Sequence, residues 1–113
     1  MLCIELPWPD PILSPNKRPH YHQKAKAAKN ARLNGFICCP SVVTPEQGKK
    51  ATRIRFYPPT AHKRDLDNML SSMKSAIDGI CDKIKINDRD LCPITIEWGE
   101  KVKGGKVIVE IDL

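Results

Sequence analysis

Leu66-Asp67-Asn68-Met69-Leu70-Ser71-Ser72-Met73-Lys74-Ser75-Ala76-Ile77-Asp78-Gly79-Ile80-Cys81-Asp82-Lys83-Ile84 is the most regular stretch of this 113-residue chain. Leu66, Leu70, Met73, Ile77, Ile80 and Ile84 recur at spacings of four, three, four, three and four, the period of an amphipathic helix that buries one stripe. One residue further along runs a second stripe, Asp67, Ser71, Lys74, Asp78 and Cys81, so charged groups flank the apolar seam. Gly79 lowers helix propensity by roughly 1 kcal/mol relative to alanine, and a close packing contact is the expected reason for it. Asp65 and Asp67 stand at the helix start, where acidic residues serve as caps and complement the helix dipole.

Outward from this helix, the rest of the chain alternates between strands and one basic helix. Leu2 to Trp8 has the period of a strand and stops at prolines 7, 9 and 11. Pro19 to about Leu33 carries four alanines among lysines and is closed by Asn34-Gly35, which predicts a helix ending there. Residues 36 to 50 show no sustained period and read as a helix end plus loop. Thr52 to Tyr57 alternates Ile54 and Phe56 with Arg53 and Arg55 and ends at Pro58-Pro59. Ile94 to Trp98 and Lys106 to Leu113 read as two more strands, joined through Gly104-Gly105 as a terminal antiparallel hairpin. The expected fold is one α+β domain over residues 1 to 113, a small mixed sheet packed with two main helices.

Charge narrows the partners. The formal net charge is +6 and the pI about 9.2, which suggests an anionic partner. Residues 1 to 64 hold twelve Lys/Arg against three Asp/Glu, whereas residues 65 to 113 hold seven against ten. Between Lys17 and Arg32 there are six basic residues and no acid. Lys17, Arg18, Lys24, Lys26, Lys29 and Arg32, with Lys63 and Arg64 before the acidic helix start, are the expected nucleic-acid contacts. With six aromatic residues and no interleaved aromatic strand, an RNA-stacking platform is not expected. Five cysteines without Cys-x-x-Cys or zinc spacing read as reduced, small apolar residues. The apolar runs are too short to span a bilayer and the opening lacks signal-peptide regions, so a cytoplasmic protein is expected.

Two carboxylates at one helix entrance repel each other unless a cation neutralises them. Magnesium suits such a pair, because it takes hard oxygen ligands and is held by one or two carboxylates plus substrate phosphate. Lys74, two turns after Asp67 on the same face, is placed to stabilise charge developing on a phosphoryl group.

Asp65-Leu66-Asp67-Asn68 after Lys63-Arg64, a long amphipathic helix, and then Ile86-Asn87-Asp88 resemble the RusA family of Holliday junction resolvases. Leu6-Pro7-Trp8-Pro9 and Ser14-Pro15-Asn16 look like that family's proline-rich first strand and Asn-containing loop, and Gly104-Gly105-Lys106 looks like its C-terminal hairpin. The resemblance implies a magnesium-dependent endodeoxyribonuclease acting as a homodimer on four-way DNA junctions, in a bacterial or phage-infected cell. It implies Asp65, Asp67 and Asp88 as converging metal ligands and Lys74 as the catalytic lysine. The chain departs from the family pattern at Ser71, where the family carries its lysine, and at Asn87, where it carries the first acid of an Asp-Asp pair. A nuclease for other branched or flap DNA, and a DNA-binding module without catalysis, are the competing readings.

Overall fold

The computed structural model describes all 113 residues. Its elements run β1 (Leu2–Pro7), α1 (Tyr21–Cys38), β2 (Lys50–Tyr57), α2 (Leu66–Ser72), α3 (Lys74–Ile84), β3 (Leu91–Trp98) and β4 (Lys106–Ile111), with short 3₁₀ turns at Pro11–Leu13 and Asp88–Asp90. The α+β expectation holds: helices lie over one four-stranded mixed sheet of order β1-β4-β2-β3.

The terminal hairpin does not form. β4 lies between β1 and β2 and pairs antiparallel with both, while β3 pairs parallel with β2 at the sheet edge. The reason is hydrophobic. Val107, Val109 and Ile111 are almost wholly buried, so β4 belongs in the middle, whereas Pro93, Ile94 and Thr95 of β3 are exposed and a proline suits an edge. The loop after β3 is drawn across the end of β2, where Gly99 N donates to Phe56 O at 2.8 Å and Val102 N to Pro58 O at 2.9 Å.

Ile4, Leu6, Ile54, Phe56, Val107, Val109 and Ile111 face the helices and meet Met69, Met73, Ala76, Ile80 and Ile84 in one core. Each such large side chain contributes about 1.5–3 kcal/mol when taken fully from water. The other sheet face is polar: Arg55 donates to Glu97 Oε1 from Nε at 3.0 Å and from Nη2 at 2.7 Å, and Lys106 Nζ lies 3.7 Å from Glu5. The cysteines form no disulfide, with Cys39 and Cys81 buried and Cys3 exposed. No helix is long and apolar enough to cross a membrane.

Both helical segments differ from their sequence reading. The long amphipathic stretch is divided at Met73, buried with φ −91° and ψ −4°, into α2 and α3. The basic helix runs through Asn34-Gly35 to Cys38 instead of stopping there. Packing overrides the stop signal, because α1 crosses α3 backbone to backbone. A Cβ on Gly35 would overlap the Ala76 carbonyl, and one on Gly79 would overlap the Arg32 carbonyl. Arg32 then clamps the crossing by donating to Asp82 from Nε at 2.7 Å and from Nη2 at 3.0 Å.

Two substitutions test this frame in opposite directions. Gly79→Ala gains helix propensity but forces the helices apart, and is expected to destabilise by about 1–3 kcal/mol in urea denaturation. Lys85 closes α3 in the left-handed region at φ 61°, so Lys85→Gly should stabilise by about 1 kcal/mol in the same assay.

Candidate active site and nucleic-acid interface

After β2 the chain turns at Pro58-Pro59 into a strap that leads to α2, and Arg64 organises it. Its Nη1 donates to Thr60 O and His62 O, both at 3.1 Å, and its Nη2 donates to Thr60 Oγ1 at 2.7 Å. Thr60 Oγ1 also lies 2.7 Å from His62 Nδ1. Arg64 Cζ sits 5.4 Å from the centroid of the Trp8 ring, a cation–π contact from the end of β1. The guanidinium is thereby held in place by neutral partners, without an ion pair.

Beside the strap opens a groove of about 620 Å³, lined by Lys17, His62, Lys63, Arg64, Asp65 and Asn68. Arg18, Lys24, Lys26 and Lys29 are exposed further along the loop and α1. Arg32, grouped with them in the sequence reading, is instead neutralised by Asp82 and serves the helix crossing. The pair shows in both partners: Arg32 holds the Asp82 carboxyl below its ordinary range, and Asp82 raises the guanidinium.

Asp65 occupies the N-cap position of α2 with extended backbone, but its side chain caps no backbone group. Its Oδ2 accepts from Asn68 Nδ2 at 3.4 Å, while Asp67 Oδ1 accepts from Asn68 N at 2.9 Å. One turn on, Ser71 Oγ donates to Asp67 O at 3.1 Å. Ser71 then lines a second, smaller cleft of about 260 Å³ with Lys74, Asp78 and Asp88. Lys74 Nζ lies 3.7 Å from Asp78 Oδ1 and 3.8 Å from Asp88 Oδ2, and its side chain is 73% exposed. Burial first, and then the carboxylates of Asp88, Asp78 and Asp82, push the nearby Cys81 thiol up to about 12.

Asp65, Asp67 and Asp88, expected to converge, are not gathered into one cluster. Asp65 lines the basic groove, Asp88 faces Lys74 across the other cleft, and Asp67 lies on the stripe that leads to it. No three His, Cys, Asp or Glu side chains are grouped so as to hold a metal ion. Asp65 and Asp67 share Asn68 as their hydrogen-bond partner, whereas Asp88 shares Lys74 with Asp78. Asn87, which stands where the RusA pattern has the first acid of its pair, uses its Oδ1 to accept from Arg89 N at 3.0 Å. The donors nevertheless fit magnesium in kind. All three are exposed hard-oxygen ligands, and an ion shared with substrate phosphate needs only one or two protein carboxylates.

Sequence reasoning missed Asp78 and Trp8. Asp78 carried a usable signal, four residues after Lys74 on the same stripe. The contact between Trp8 and Arg64 carried none, because it joins the end of β1 to the strap after β2.

No protein-family model matches the chain. A relative described only as an uncharacterized protein of Xylella fastidiosa strain Temecula1 is 35% identical over 116 residues, spanning 98% of this chain and 76% of that protein. Identity at that level over nearly the whole chain means that this protein belongs to the same family as the Xylella protein.

Proposed function

We propose that the chain is a magnesium-dependent endodeoxyribonuclease that acts on branched DNA, with four-way junctions as its substrate, as a homodimer in a bacterial or phage-infected cytoplasm. The observation that carries this reading is the position of Asp65-Leu66-Asp67-Asn68 between a basic groove and a cleft holding Lys74 and Asp88. A phosphodiester enzyme needs cations that grip the backbone beside acids that can work on one phosphate. The resemblance to RusA-type resolvases supplies the junction and the dimer. A C2 pair of basic surfaces matches the two-fold symmetry of a four-way junction.

In this reading Lys17, Lys63 and Arg64 seat the backbone in the groove. Arg64 does so without losing freedom on binding, since Thr60, His62 and Trp8 already hold it. Lys74, positioned between Asp78 and Asp88, stabilises negative charge that develops on the phosphoryl oxygens. Asp65, Asp67 and Asp88 would hold the magnesium ion, whose chemistry is to polarise the phosphoryl group and acidify a water. Bringing these carboxylates together requires a neutralising charge, so the active arrangement depends on ion and phosphate arriving jointly.

Binding and cleavage should separate on mutation. In Mg²⁺, Asp67→Asn and Asp88→Asn are expected to bind a labelled junction at least as tightly as the parent while cleavage falls by orders of magnitude. Lys74→Ala should cost about 10²–10³-fold in rate. Normal cutting by Asp67→Asn would remove the acidic site from the reading and leave a DNA-binding module.

Replacing Lys24, Lys26 and Lys29 by alanine should instead weaken binding and reduce the slope of log affinity against log salt, by roughly 1 for each lysine that contacts phosphate. Arg32→Gln is expected to change stability by no more than about 1 kcal/mol and to leave that slope unchanged, since Asp82 already neutralises the charge. A salt slope unmoved by the triple change, or reduced by Arg32→Gln, contradicts this assignment of the basic surface.

A further inference from the structure

A third cavity, of about 470 Å³, lies between the end of β1 and the helices and adjoins the basic groove. The two share a wall made by Trp8, Asp10 and their proline neighbours. We propose that this cavity receives a nucleobase swung out of the stack at a DNA branch point, while the phosphate attached to it stays in the groove. The inference rests on the reading of the chain as a branched-DNA enzyme and adds a base-binding subsite to it.

Three features point to a base in particular. The volume lies within the range of small-molecule sites, about 300–1,000 Å³. Its walls combine an aromatic ring and apolar surface, Trp8, Ala31 and Met73, with the exposed amides of Asn30 and Asn34. Planar heterocycles are held by that combination, stacking on one side and hydrogen bonding at the edge. Trp8 itself is fixed, edge-on to Phe56 with centroids 6.4 Å apart and under Arg64.

Charge sets the orientation. Lys17, Lys63 and Arg64 line only the groove, whereas Asp10 lines both spaces and its Oδ1 is fixed by accepting from Ile12 N at 3.0 Å. A phosphate is drawn to the cations and turned away from the inner cavity by Asp10, and a neutral base is not. The base therefore points inward, and a branch point, where stacking is already interrupted, is the cheapest place to supply one.

The test measures affinity for four-way junctions in EDTA, with an abasic nucleotide walked through the branch-point positions. One position is expected to lose about tenfold in affinity when its base is removed, the scale of one lost base–aromatic stack. Ala31→Leu, which fills the cavity, should bind the intact junction with that same reduced affinity and show no further loss at the abasic position. Its salt slope should remain that of the parent, because no phosphate contact has changed. Asn34→Leu, on the exposed side of α1, gives the same comparison without entering the core. Equal affinity at every abasic position, or full abasic sensitivity in both variants, overturns the subsite. If such a protein still cuts junctions in Mg²⁺, the nuclease reading stands without the subsite; if it binds no branched DNA at all, both fall.

Discussion

Helices α1 and α3 meet with no side chain between them, at Gly35 against Ala76 and at Gly79 against Arg32, and the position of everything functional depends on that approach. Because α3 cannot move away from α1, α2 and the strap before it are held at a fixed distance from the lysine-bearing helix. The bidentate pair between Arg32 and Asp82 locks the same crossing from the surface. Exposed pairs contribute little by themselves, so its work is to fix angle more than to add stability. The sheet supplies the other boundary, with β4 at its centre and the apolar faces of β1, β2 and β4 pressed on α3.

This frame holds charge in separate compartments. The groove beside the strap carries cations and two carboxylates, Asp10 and Asp65, whereas the cleft past Ser71 carries one lysine between two carboxylates. Lys74 offsets the repulsion between Asp78 and Asp88 in that cleft. Under the proposed function, substrate and ion act together to assemble a working centre. Arg64 is the exception, since its geometry is set in advance by the strap and by Trp8.

Much of this was legible from local pattern. The apolar stripe from Leu66 to Ile84 gave the helical segment, and the packing reason expected for Gly79 is the contact it makes. Alternation around Ile54 and Phe56, and around Val107 and Val109, placed β2 and β4. What failed was anything decided by distant partners. Gly104-Gly105 is a local turn signal, but strand order was settled by which strand buries more, and β4 took the centre. Asn34-Gly35 is a local stop signal, but Gly35 was required for the helix crossing. At the candidate site, sequence singled out Lys63, Arg64, Asp65 and Lys74, which the structure places along the groove and the adjoining cleft, yet it had no means of seeing that Asp82 claims Arg32 or that Asp88 faces Lys74.

The central claim, that this divided set of acids and bases cuts branched DNA when ion and phosphate arrive together, is tested most directly with a labelled synthetic four-way junction incubated with the purified chain, with and without Mg²⁺, beside a linear duplex of the same sequence. The account predicts paired, symmetrically related cuts in the junction only in Mg²⁺, and little or no cutting of the duplex. An intact junction in Mg²⁺, or cleavage that proceeds equally in EDTA, would contradict it.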